Sequence, residues 1–191
     1  MSIYALVVAV VLSASWGTQS APSSKQTAPE TFRANAQATS SGGGGAAALT
    51  FRVEAYSPDA DRKRLVDALA SGGSPAFVEA LKKEKAIGYV QAGERKVTIR
   101  YARTEPAANG KRKVVIVTDA PVHFVGGGAL DAKPTTGFDV AVVEFEVDVV
   151  GLGSGTMAMA AKVKAGGPAG VQIDDYAQQP VKLVTVTRNP S

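Results

Sequence analysis

Cysteine is absent from the 191-residue chain, which removes disulfides, thiolate catalysis, cysteine-ligated zinc, iron–sulfur clusters and any lipid anchor built on a thiol. Histidine occurs once, at His123, so multi-histidine metal sites are excluded and any Ser-His-Asp mechanism has to use that residue. Aromatic residues are only 6% of the chain and are not interleaved with the basic ones, as a stacking surface for nucleic acid would require. The longest apolar stretch, Ile3 to Leu12, falls short of the roughly 20 residues that span a bilayer.

That stretch has the length of the apolar segment of a secretory signal, and the small residues Ser13, Ala14, Ser15 and Gly17 follow it. Residues 1–17 carry no Lys or Arg, so the positive flank is the terminal amine alone. The expectation is a signal peptide over 1–17, cut before Pro22, a periplasmic or secreted location, and no stable membrane anchor afterwards. Residues 18–48 are rich in Ser, Thr, Ala, Gln, Gly and Pro, with Phe32 the one aromatic, and read as a disordered leader. A single α+β domain is expected over 49–188.

Alternation of apolar and polar residues marks strands at 49–56, 87–91, 97–103, 156–164 and 181–187, with a short edge at 171–173. Lys113 to Thr118 is almost continuously apolar, as in a strand buried on both faces, and the helices are candidates to cover it. In 138–149, FDVAVVEFEVDV, the apolar row slips by one residue between Val142 and Val143, which predicts a β-bulge there. Two Ser-Pro pairs, Ser57-Pro58 and Ser74-Pro75, read as helix starts with the serine as N-cap, and Ser71-Gly72-Gly73 as the stop between them. The pattern therefore predicts a mainly antiparallel curved sheet, sandwich or partly closed barrel of 7–8 strands. One helical hairpin is inserted after the first strand.

Asp61-Arg62 with Leu65, Gly72-Gly73, Gly88-Tyr89, Tyr101-Ala102-Arg103, Thr118-Asp119-Ala120-Pro121, the Gly151 to Gly155 turn and Tyr176-Ala177 with Pro180-Val181 form a recurring set of phrases. As a set they resemble a family of uncharacterised secreted bacterial proteins of acidobacteria-like lineages. The resemblance covers about Leu49 to Arg188 and implies export and a single domain. It transfers no activity and no site residue.

Gly151, Gly153 and Gly155 are spaced like a phosphate loop, but a strand pattern follows them rather than a helix, so they read as hairpin glycines. Asp174, Asp175 and Tyr176, with Asp119 or Asp131, form the best acid cluster, yet they lack the loop spacing of a calcium site. Glu144, Glu146 and Asp148 read as a wet face opposite Lys162 and Lys164.

From Arg52 to Lys113 there are 14 basic and 8 acidic side chains, and from Val114 onward 5 and 8, but the signs alternate along the chain as on an ordinary solvated surface. No metal site, cofactor or nucleic-acid surface is expected. The reading is an exported, non-enzymatic binding or interaction module for an unknown protein or a small apolar ligand. If the sheet closes, Tyr101, Phe145, Met157 and Met159 are the candidates to line its cavity, the alternative being that they fill the core. The alternative is a carboxylate-dependent hydrolase using Asp119, His123 and Asp174.

Overall fold

The computed structural model describes residues 29–38, 45–124 and 135–189. Its strands are β1 (Glu30–Ala38), β2 (Gly45–Val53), β3 (Gly88–Ala92), β4 (Arg95–Pro106), β5 (Arg112–Thr118), β6 (Val140–Val147), β7 (Leu152–Ala165), β8 (Val171–Tyr176) and β9 (Val181–Asn189). One helical segment, α1 (Asp59–Lys83), lies between β2 and β3. All pairings are antiparallel. β1 through β7 pair in sequence, β9 pairs with both β7 and β1, and the ring closes as an eight-stranded barrel. β7 is long enough to serve two partners on one edge, β9 over Leu152–Met157 and β8 over Ala161–Ala165, so β8 sits outside the ring. Closure removes the unpaired edges that an open sheet of this size would expose.

The disordered leader expected over 18–48 is contradicted over Glu30–Ala38 and from Gly45, which lie in β1 and β2. β1 pairs with β2 over nine residues and with β9 on its other side, so the barrel cannot close without it. Phe32, Ala34 and Ala36 face inward and are buried. The proposed signal segment and cleavage site lie outside the described residues.

The core is split in two by the barrel wall. Inside, Phe32 packs edge-on against Phe145 with ring centroids 4.9 Å apart, and Phe51 lies 5.8 Å from Phe145. Outside, Leu65, Leu69, Phe77, Val78 and Leu81 of α1 cover Val117, Val140, Val142, Ala158 and Ala161. Because α1 covers part of the outer wall, β5 and the first half of β6 are buried on both faces, as the apolar run 114–118 predicts for β5.

The same covering explains the slip at Val142 and Val143. No residue is inserted there: β6 runs in unbroken register with β5 from Val147 to Val142. Ala141, Val143, Phe145 and Val147 face inward, while Val140 and Val142 face α1. Two buried faces read in sequence like one face out of step. The irregularity that does exist lies on β7, where Val140 pairs with Ala161 and Val142 with Ala158.

The expected helical pair is one segment interrupted at Gly73, whose φ of 64° suits glycine. Arg64 donates to both oxygens of Glu84 at 3.1 and 3.0 Å, although a straight helix would set them about 30 Å apart, so the chain folds back at the break. Neither serine caps a helix. Ser57 Oγ accepts from the Ala102 amide at 3.1 Å, and Ser74 Oγ accepts from the Val163 amide at 3.3 Å. Both serines dock α1 onto the barrel wall instead.

Candidate ligand-binding site at the barrel mouth

The four residues expected to line a cavity are not brought together. Phe145, Met157 and Met159 pack in the barrel interior, whereas Tyr101 lies in the outer core beneath α1. The reason is a bulge in β4: Ile99 pairs with Thr118 but Tyr101 with Val117, and the extra residue turns Tyr101 outward. Its hydroxyl donates to the carbonyl of Ala169, and burial pushes its pKa up to about 12, so the phenol keeps its proton. The interior itself is filled by side chains. At one end Val122 and Phe124, from the loop after β5, insert into the core, and the Val122 amide donates to Met159 O at 2.9 Å.

The two carboxylates of the hydrolase alternative are each engaged by a different partner. Asp119 accepts from Arg100 Nε at 2.7 Å, Asp174 pairs with Lys164 at 3.1 Å, and Asp175 accepts from the Tyr176 amide at 2.8 Å. Among the described residues His123 Nδ1 has no hydrogen-bond partner, so none of their carboxylates orients it as a base. No group of three His, Asp or Glu side chains among the described residues is placed to hold a metal ion, and Asp131 lies outside them. Glu144 meets Lys113 of β5 at 2.7 Å, not Lys162 or Lys164; Lys162 sits 4.5 Å over the Phe138 ring. Asp148 accepts from the amides of Val150 and Leu152 and so shapes the β6–β7 turn.

The glycines after that turn open a strand, as their context predicts. A Cβ at Gly153 would fall 1.7 Å from Glu146 O, and one at Gly155 2.1 Å from Glu144 O, so glycine is what lets β7 lie against β6 there.

One polar cluster has no counterpart in the sequence reading. Glu30, at the start of β1, accepts from Arg112 Nη1 at 2.9 Å and Nη2 at 2.5 Å, from the Tyr56 hydroxyl, and from Arg188 Nη1 at 3.4 Å. Burial pushes the Glu30 carboxyl up, but the bonds from Arg112 and Tyr56 and the two guanidinium charges outweigh it and hold the pKa below the ordinary value. Burial, reinforced by the bond to Glu30, raises that of Tyr56. The cluster ties β1, β5 and β9 across one end of the barrel. The signal that could have found it is the alternation Phe32, Ala34, Ala36 against Thr31, Arg33, Asn35, which alanine makes faint.

The opposite end carries a pocket of about 470 Å³. Ala46, Ala47 and Ala48 of β2 and Ala92 of β3 form one wall, and the small side chains leave the space. Glu94 and Arg95, at the β3–β4 turn, and His123 and Phe124, from the loop after β5, complete it. Phe124 is buried and Arg95 exposed, so the pocket has an apolar floor and a charged rim. His123 is neutral at neutral pH, because burial first and the Arg95 charge second lower its pKa. A neutral imidazole offers one donor and one acceptor, and here the buried Nδ1 meets neither need among the described residues. Size, apolar walls and a few converging polar groups are the marks of a small-molecule site. Comparison of the chain with known protein families, with curated proteins and with solved structures found no match in any of the three.

Proposed function

We propose that this protein is a binding module rather than an enzyme, and that the mouth pocket takes a small ligand with an apolar body and one polar or anionic head. The observation that carries the reading is the alanine-lined pocket itself, about 470 Å³ in volume, with the buried Phe124 as its floor and Arg95 exposed at its rim. Arg95, exposed at the rim, supplies a cation for the head. The apolar-ligand expectation is kept, but its lining moves from Tyr101, Phe145, Met157 and Met159 to the mouth.

Export to the periplasm or beyond belongs to the same proposal. It rests on the stretch Ile3 to Leu12 with its small-residue flank. No helix among the described residues is long and apolar enough to cross a membrane.

Titration with 1-anilinonaphthalene-8-sulfonate, which has an apolar body and an anionic head, tests the pocket. Saturable one-to-one binding is expected, weakened about tenfold by Arg95→Gln, a loss near 1.4 kcal/mol. Ala47→Leu, which fills the pocket, is expected to abolish it. Binding that is unchanged in Ala47→Leu, or absent from the parent protein, would overturn the proposal.

A further inference from the structure

Strand alternation sorts the charges of this chain in a way the linear sequence conceals. Consider the outward positions of β9, β1, β2, β3 and the first half of β4, the side of the barrel away from α1. Arg33 lies beside Thr50, Thr50 beside Gln91, and Gln91 beside Lys96, a row across four strands with a cation at each end. At about 4.8 Å per strand the row spans about 14 Å. The next row has Arg52 between Thr31 and Tyr89, with its guanidinium donating to Thr31 Oγ1 at 2.9 Å. Lys182 on β9 stands beside Gln37.

No Asp or Glu occupies an outward position within these strands. Glu54 lies just past the end of β2 and Glu94 in the β3–β4 turn. Arg33, Lys96 and Lys182 are exposed, and none has a carboxylate within ion-pair distance among the described residues. On the helix side, by contrast, Lys63, Arg64, Lys82 and Lys113 each meet one.

We infer that this face docks an acidic polysaccharide. An acid-free surface with several cations about 14 Å apart attracts a polyanion and holds it through many weak contacts. Between the cations stand hydroxyl and amide side chains, Thr50, Gln91, Thr98 and Asn35, which can donate to and accept from sugar hydroxyls. Single-stranded nucleic acid fits less well. Its binding relies on free aromatic faces, and the one aromatic ring on this face, Tyr89, is covered by Lys96 Nζ at 4.5 Å.

The test uses polygalacturonate with the full chain, in calorimetry at 50 and 200 mM salt, beside neutral dextran and an oligothymidylate. Binding to polygalacturonate is expected, weakening roughly tenfold over that salt range because the contacts are ionic. The combined variant Arg33→Glu, Lys96→Glu, Lys182→Glu is expected to lose at least about tenfold, 1.4 kcal/mol or more. The charge-matched control Lys63→Glu, Lys82→Glu, Lys164→Glu should bind as the parent does. Circular dichroism confirms that all are folded, and anilinonaphthalene binding at the mouth should be unchanged, which keeps the two sites distinguishable. Equal losses in the two triple variants, no binding at 50 mM salt, or tighter binding to the oligothymidylate would each overturn the inference.

Discussion

Replacing Phe32 with Ala tests the claim on which the fold depends most, that a stretch with the composition of a disordered leader is a staple of the barrel. Phe32 is fully buried, and its ring meets Phe145 at 4.9 Å and lies 5.6 Å from the Arg112 guanidinium carbon. Phe→Ala in a close-packed core costs about 3–5 kcal/mol, the transfer of the ring plus the cavity it leaves. The interior offers little relief, because Phe51, Phe145, Met157 and Leu183 are themselves buried to 1% exposure or less and held by strand pairing. That places the expected loss in the upper half of the range, against a total of about 5–15 kcal/mol for a domain. At about 2–4 °C per kcal/mol for this size, the melting temperature should fall by about 10 °C or more.

Arg33→Ala and Asn35→Ala, exposed neighbours on the same strand, serve as controls and should stay within about 0.5 kcal/mol. Urea unfolding followed by circular dichroism reads the difference directly. A Phe32→Ala variant as stable as the controls would refute the placement of β1, and so would a chain begun at Ala48 that folds with the parent's stability.

Two further outcomes follow from the barrel. Glu30→Gln should cost about 3 kcal/mol at pH 7, since it leaves Arg112 half-buried without its anion. The folded pKa of Glu30 lies below its ordinary 4.5, so its contribution is full above that value and is lost as pH falls through the folded pKa. The gap between parent and variant should therefore narrow in acid, and a gap constant from pH 7 to pH 3 would show that Glu30 is not the titrating group. Thr185, exposed in the irregular pairing of β9 with β1, has a φ of 54°, a costly conformation for a β-branched residue. Thr185→Asn should stabilise by about 1 kcal/mol and raise the melting temperature by about 2–4 °C, read by calorimetry; a fall would mean that the threonine is held by something other than its backbone.

Periodicity made most of the sheet legible. β2, β3, β5, β7 and β9 announce themselves by alternation or by a fully apolar run, and the Ser-Pro pairs mark the place of α1 between strands. Those signals are local: each depends on residues within a few positions of one another. The sequence also excluded thiol chemistry and multi-histidine sites outright, because an absent residue type needs no fold to be absent.

What the tertiary structure decided is of another kind. β1 was hidden because Ala34 and Ala36 bury so little area that only closure of the ring shows they are inside. Tyr101 left the interior because of a bulge that no local pattern distinguishes from a strand end. The two capping serines became docking contacts, since the amides of Ala102 and Val163 come from strands distant in sequence. His123 gained a pocket because the loop after β5 meets the end of the barrel at which β2 starts. The alternating charges of 52–113 parted for the same reason: their acids lie largely on α1 and in turns, while Arg52 and Lys96 project from the opposite wall, beside cations that β1 and β9 bring from either end of the chain. A sequence fixes each side chain's phase along its own element, and only packing decides which face of that element meets water.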